Sequence, residues 1–411
     1  MKNYFALLFS FLLFSCSHNQ GTKENPKTPE VMAPTSMTIP KVVVIATPVA
    51  QVTPLPTPVP TPEWVSLDDE YSAGMKPLLN TFYKEDFADT RNVDVYVATN
   101  RKAKNKSFGC SDDQFGVEID AATQFGMCKV NVPKNHIIGQ ITLAKNNRQS
   151  SHDFYKILQS RGMSESSFIE SLKKSKRTPL VFIHGFNVRF QEAILRAAQI
   201  TYDLKYQGPV VIFSWPSGAG DGFFDENFLN KTYENNSKTA LGSIEPLKKF
   251  LIGLKANGLK INLAVHSMGH QVVLPALKVI GVKDPEKSFI NELILNAPDF
   301  EANEFTDLTD IIKNICKRIT LYCSYNDKAM IASKTMNKNE RLGACTYSEN
   351  VDSINVSLID GGETFALGHG YYSSRAILND VFQLLLGIDA EKRLFIKRSE
   401  PNSTEKYFLR P

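Results

Sequence analysis

Several things are scarce in this chain, and each scarcity excludes something. Net charge is small: 47 Lys and Arg against 43 Asp and Glu give +4 over 411 residues. No basic stretch is interleaved with aromatics, so nucleic acid is not an expected partner. No two of the six cysteines stand at C-x-x-C spacing, so no zinc or other metal site is expected. No apolar run reaches the roughly 20 residues that a membrane-spanning helix needs, and no segment repeats. The one glycine cluster, Gly218-Ala-Gly-Asp-Gly222, fails the G-x-G-x-x-G spacing at Phe223, and no G-K-[ST] follows it. No cofactor is indicated.

What is present begins with a short basic start, Met1-Lys2, and an apolar run from Tyr4 to Phe14 broken only by Ser10. A run of that length is a secretory h-region, which makes residues 1–15 a signal peptide. It ends in Leu13-Phe-Ser-Cys16, which resembles the lipobox of bacterial lipoproteins and implies cleavage before Cys16 and lipidation of its thiol. Ser17 follows where aspartate would favour inner-membrane retention, so the outer membrane is the expected face of the cell envelope. Ten of the 21 prolines lie between Lys23 and Glu63. Proline at that density favours extended PPII chain at about 3 Å per residue. Residues 16–65 therefore read as a lipid anchor followed by a semi-rigid tether.

Beyond the tether, short apolar segments alternate with amphipathic ones. Strands are expected at Val93–Ala98, Ile137–Leu143, Pro179–Ile183, Pro209–Phe213, Lys260–Val265, Glu292–Asn296, Arg318–Tyr322 and Ile354–Ile359. Helices are expected at Gln191–Tyr206, Thr239–Leu254, Gln271–Ile280, Asn303–Cys316, Ala329–Lys338 and about Tyr372–Leu386. That alternation predicts an α/β fold with a mostly parallel sheet covered on both faces. Residues 66–177 form a β-rich N-terminal extension, 178–388 the core, and 389–411 a solvated tail. Of the cysteines after Cys16, Cys110 and Cys128 are the first candidates for a disulfide.

Ile261 to Val265 is a buried strand, and His266-Ser-Met-Gly269 is a turn that leads into a helix. This is the layout of a nucleophile elbow, in which a tight turn lifts a serine clear of the sheet. Other stretches join it: Val181-Phe-Ile-His-Gly-Phe-Asn187, Arg196-Ala-Ala-Gln199, Phe213-Ser-Trp-Pro-Ser217, Asn296-Ala-Pro-Asp299, Ser324-Tyr-Asn-Asp327 and Gly368-His-Gly-Tyr371. With Tyr96-Val-Ala-Thr-Asn-Arg101, and in this order, the chain resembles the α/β-hydrolase superfamily, and more narrowly a bacterial branch known chiefly as a domain of unknown function. The resemblance runs from about Val93 to Leu386 and implies a serine mechanism.

Ser267 is the candidate nucleophile and needs a base held in the right tautomer by a third group. The superfamily order is Ser, then acid, then His, and only His270 and His369 follow Ser267. His270 lies on the nucleophile's own helix, so His369 is the base. Asp327 follows the strand Arg318–Tyr322 and is the preferred acid; Asp299, after the preceding strand, is the alternative. Either aspartate could instead cap the helix that follows it. Met268 and Phe186 are the expected backbone donors of the oxyanion hole, with Gly185 giving the chain room to approach. Trp215, Phe223, Phe224 and Asp299 are candidate pocket residues. One position departs from G-x-S-x-G: Val265 stands where the first glycine usually does.

The expected function is lipid-anchored hydrolysis of a carboxylic ester, esterase- or lipase-like, on a small-molecule or lipid substrate. An amidase or peptidase on the same triad, or a non-catalytic envelope lipoprotein, are the alternatives. The sequence gives no oligomeric state.

Overall fold

In a computed structural model, the described residues are 91–144, 148–218, 226–284, 288–345, 351–359 and 369–410. All of them belong to the unit Gly74–Pro411. The signal, anchor and tether positions, Cys16 included, lie outside them, as do Phe223 and Phe224.

The strands are β1 (Asn92–Ala103), β2 (Phe115–Asn131), β3 (Lys156–Met163), β4 (Leu180–Ile183), β5 (Val210–Ser214), β6 (Ile261–His266), β7 (Ile290–Asn296), β8 (Cys316–Cys323), β9 (Asp352–Asn355), β10 (Ile396–Arg398) and β11 (Tyr407–Leu409). They form one sheet in the order β10-β11-β9-β8-β7-β6-β4-β5-β1-β2-β3. From β11 through β1 every neighbouring pair is parallel, while β2, β3 and β10 are added antiparallel at the two edges.

The helices are α1 (Glu165–Lys174), α2 (Phe190–Asp203), α3 (Glu226–Ala256), α4 (His270–Lys283), α5 (Ala302–Ile312), α6 (Lys328–Asn337) and α7 (Arg375–Leu385). Side chains alternate across a strand, so each central strand feeds two cores. Val181, Ile183, Val211, Phe213, Leu263 and Val265 pack with α1, α3, α4 and α5 on one face. Leu180, Phe182, Val210, Ile212 and Ala264 pack with α2 and α7 on the other. Burial on both faces is why these strands read as continuous apolar runs. Among the described residues, no helix is long and apolar enough to cross a membrane.

Two expectations are corrected. Ile137–Leu143 is a loop: Gln140 N–H bonds back to Ile137, and Gly139 turns the chain at φ 82°. Ile137 is largely exposed, and the antiparallel partner of β1 is instead β2, which in turn pairs with β3. Residues 389–410 are not a solvated tail but add β10 and β11 to the sheet edge. Arg393 is drawn inside by Asp380, at 2.8 Å, with both side chains fully buried. Cys110 pairs with Cys128. A second disulfide, Cys323–Cys345, had no sequence signal, and Cys316 is a buried free thiol.

Glu292 of β7 lies opposite Arg318 of β8, Oε2 to Nε 3.6 Å, and is only 4% exposed. Burial raises its pKa from 4.5 to about 7, against the opposing pull of Arg318. The folded chain therefore holds a proton that the unfolded chain has lost between those two values. The associated stabilisation is complete below the unfolded pKa and disappears as pH rises through the folded one, by up to roughly 3 kcal/mol. Glu292→Gln should unfold at a higher temperature than wild type at pH 8, with the gap closing or reversing at pH 5. An equal difference at both pH values would contradict this account.

Candidate active site

The chain passes from β4 to β5 on one side of β4 and later places β6 on the other side. That reversal opens a crevice at the carboxyl ends of β4 and β6, the usual place for chemistry in such sheets. Two turns meet there: His184–Asn187 after β4, and His266–Gly269 after β6. Ser267 has φ 53°, and a 3-10 turn, Ser267–Gly269, leads into α4. A non-glycine residue in this region costs about 1–3 kcal/mol and persists only where its surroundings fix it. Here the Ser267 carbonyl accepts from His270 Nδ1 at 2.7 Å and from Asp299 N–H at 3.3 Å.

The two turns touch through glycines. A Cβ on Gly269 would lie 2.6 Å from the His184 carbonyl oxygen, and one on Gly185 2.7 Å from Ser267 Cβ. Neither position admits a side chain. Val265, by contrast, is accommodated. It is fully buried in the same core as Ile183 and Met268, and the elbow keeps its positive φ.

His369 Nδ1 lies 2.7 Å from Asp327 Oδ2, with Asp327 fully buried and the histidine side chain 18% exposed. An ionised carboxylate only accepts, so Nδ1 carries the proton and Nε2 the lone pair. Asp327 Oδ1 meanwhile accepts from Ala329 and Met330 N–H at 3.0 and 3.1 Å and so caps α6. Capping and imidazole contact, weighed as alternatives from the sequence, occur together on opposite oxygens. The segment is tied down by Cys323–Cys345 and by Ser324 N–H to Gly343 O at 3.0 Å. His266, adjacent to Ser267, brings its ring within 4.8 Å of the His369 ring and its Nε2 within 3.2 Å of the His369 carbonyl. Burial, reinforced by the neighbouring His369 imidazole, lowers the His266 pKa well below the ordinary value. It therefore stays neutral, and its Nε2–H donates to that carbonyl.

Asp299 sits elsewhere, beneath the elbow. Its Oδ1 accepts from Arg341 Nε at 2.8 Å and from Ser333, and its Oδ2 accepts from Tyr233 at 2.8 Å. It is 2% exposed and committed to these partners, so it neither serves His369 nor offers pocket surface. Trp215 likewise presents no open face. It is fully buried, its Nε1 bonds to His184 O at 2.8 Å, and its ring stacks on His184 at 5.3 Å and 11°. Its role is to support the β4 turn.

Met268 stands in the first turn after β6, where backbone donors lack intrahelical acceptors. Phe186 follows Gly185 in the facing turn, with its ring 5.8 Å from Tyr233. His184 and His270 both have pKa values lowered to about 3 by burial, so both are neutral. Sequence reasoning assigned no role to Arg101, Ser217, Asn236 or Arg341, all buried around these turns. The available signals were the stretches Tyr96–Arg101 and Phe213–Ser217, which close on Arg101 and Ser217. Among the described residues, no group of three or more His, Cys, Asp or Glu is placed to hold a metal ion.

The arrangement provides a strained serine turn, an imidazole with its proton fixed on the far nitrogen, and two opposed backbone turns. Compared with known proteins, residues 160–387 match a family model described as "Alpha/beta hydrolase of unknown function (DUF900)". No curated protein and no solved structure matches the chain. With more than half its length in that match and the sheet order described above, the chain belongs to this family of α/β hydrolases.

Proposed function

We propose that the protein is a serine hydrolase that cleaves a carboxylic ester of a lipid or small molecule. The observation that carries this reading is the 2.7 Å contact of His369 Nδ1 with Asp327 Oδ2, on a histidine held against the residue next to Ser267. Ser267 Oγ attacks the ester carbonyl while His369 Nε2 takes its proton. Asp327 holds the tautomer and stabilises the imidazolium. The tetrahedral oxyanion is received by Phe186 and Met268 N–H. His369 returns the proton to the departing alkoxide, leaving an acyl-serine, and the same groups then activate the water that releases the acid. An amine is a poorer leaving group than an alcohol and depends more on that protonation, so matched ester and amide substrates separate esterase from amidase action.

A fluorophosphonate probe should label Ser267 in the folded protein, and Ser267→Ala should abolish both labelling and turnover. Absence of any adduct on the folded wild type would sink the proposal. Asp327→Asn isolates the charge, because the asparagine oxygen can still cap α6. We expect its kcat to fall by about 10³–10⁴ with little change in melting temperature. Asp327→Ala should additionally lose about 1 kcal/mol of stability with the cap. Equal kcat for Asp327→Asn and wild type would remove Asp327 from the mechanism.

We further propose that the enzyme is exported and anchored through lipid on Cys16, on the outer membrane. The lipobox-like Leu13–Cys16 supports this, as do the two disulfides, which form in oxidising compartments. Cells fed an alkynyl fatty acid should label wild type and Ser267→Ala equally and Cys16→Ser not at all. Labelling that survives Cys16→Ser would refute the anchor.

A further inference from the structure

Arg101 lies near the end of β1, two residues beyond Thr99, which pairs with Ser214 of β5, and is 1% exposed. Its guanidinium has five N–H donors in a fixed fork, and all five find acceptors. Nε reaches Ser214 Oγ at 2.9 Å. Nη1 reaches Ser217 O at 2.7 Å and Gly116 O at 3.3 Å, and Nη2 reaches Val188 O at 2.8 Å and His184 Nε2 at 3.5 Å. Every one of these acceptors is neutral. Burying a cation on neutral partners costs several kcal/mol before its hydrogen bonds offset it, so the location is informative. Two of the acceptors, His184 and Val188, bracket the turn that carries Phe186.

Proton positions along this chain follow from donor chemistry. Arg101 cannot accept, so His184 Nε2 must, and its single lone pair faces both Arg101 Nη2 and the Ser214 hydroxyl, 3.2 Å away. The His184 proton then lies on Nδ1, which donates to the Gly185 carbonyl at 3.1 Å. Ser217 Oγ lies 2.9 Å from that same carbonyl and 2.9 Å from Asn236 Oδ1. Asn236 Oδ1 already accepts from Asn187 N–H at 3.1 Å and Gly218 N–H at 3.0 Å, which fill its two lone pairs. The Ser217 proton is therefore left for Gly185 O. Two donors thus hold one carbonyl on the Arg101 side of the turn. In a trans peptide the C=O and N–H point in opposite directions, and the described peptide bonds include no cis bond.

We propose that Arg101 and His184 are positioning residues whose buried hydrogen-bond relay fixes the Gly185–Phe186 peptide, aiming and polarising Phe186 N–H as the oxyanion donor. The inference rests on the hydrolase reading above. Each donor in the relay is strengthened by the one behind it, beginning at a full charge. A donor already aimed needs no reorganisation when negative charge develops. Burial and the charge of Arg101 keep His184 neutral, and burial lowers the Arg101 pKa only to about 9, so the relay keeps one protonation state at neutral pH. Lysine could not substitute, because one ammonium cannot reach both Val188 O and Ser217 O while also serving His184.

The test compares wild type with Arg101→Lys, Arg101→Met and Ser217→Ala in ester turnover, fluorophosphonate labelling and inhibition by a trifluoromethyl ketone. That inhibitor forms a hemiketal oxyanion on the serine. Loss of one oxyanion donor costs about 10²–10³ in kcat. We expect kcat of both Arg101 variants to fall about 10- to 100-fold with KM nearly unchanged, and the inhibition constant to rise in step with the loss of kcat/KM. Ser217→Ala keeps the cation and removes a single donor, so it covers the case in which the Arg101 variants do not fold. Its kcat should fall about tenfold, the lower end of that range. A wild type that labels and turns over beside variants of unchanged kcat, or variants whose ketone affinity does not follow kcat/KM, would overturn the relay alone. A wild type that neither labels nor turns over would overturn the hydrolase reading and the relay with it.

Discussion

The site depends on the close approach of two backbone turns across the β4–β6 crevice. Parallel pairing of Ile183 with Val265 brings the ends of the two strands level, so the turns that follow must share a few ångströms of space. They can do so only because positions 185 and 269 carry no Cβ. The approach is what brings the Phe186 turn to Ser267, and it also explains why Val265 is harmless. Val265 still belongs to the strand and its side chain enters the core on one face, whereas Gly269 lies on the far side of the serine, against the His184 carbonyl itself. In this fold, tolerance at the first glycine of the elbow and intolerance at the second follow from where each Cβ would go.

Around that contact the protein excludes water and keeps its histidines neutral. His184, His266 and His270 all have lowered pKa values, with burial the largest cause in each. Each therefore offers one donor and one acceptor, and their donors hold the carbonyls of Gly185, His369 and Ser267. Three imidazoles thus act as backbone clamps, and of these four histidines it is His369 whose ring nitrogen is hydrogen-bonded to a carboxylate. Under the proposed mechanism, the arrangement separates the histidine that moves a proton from those that must not.

Much of this was legible in the sequence because it depends on local pattern and chain order. The central strands are apolar on both faces and cannot be mistaken for amphipathic helix. With Ser267 placed, order alone leaves His270 and His369, and a helix geometry argument disposes of His270. What was not legible depends on distant partners. Nothing local says that Arg101 is buried, because its five acceptors come from three separate segments of the chain. Strand β2 begins at Phe115 and runs through polar and exposed positions, since it is an edge addition with one open face. The charges after Ile388 read as a solvated tail, yet Arg393 is buried because Asp380 and Tyr322 await it in the core. Asp299, a plausible acid by position, is claimed by Arg341, 42 residues away.

The division of labour on Asp327 carries a final consequence. Its Oδ1 is bound to two backbone donors at the start of α6 and its Oδ2 to the imidazole. The carboxylate cannot rotate towards one without abandoning the other, so the cap fixes the direction from which His369 is held. The disulfide Cys323–Cys345 anchors the same segment four residues upstream. Because Asp327 is fully buried, its second oxygen needs a donor in any case, and the donor it has is the imidazole of His369. Under the proposed mechanism, that pairing is also what a serine on the facing turn needs.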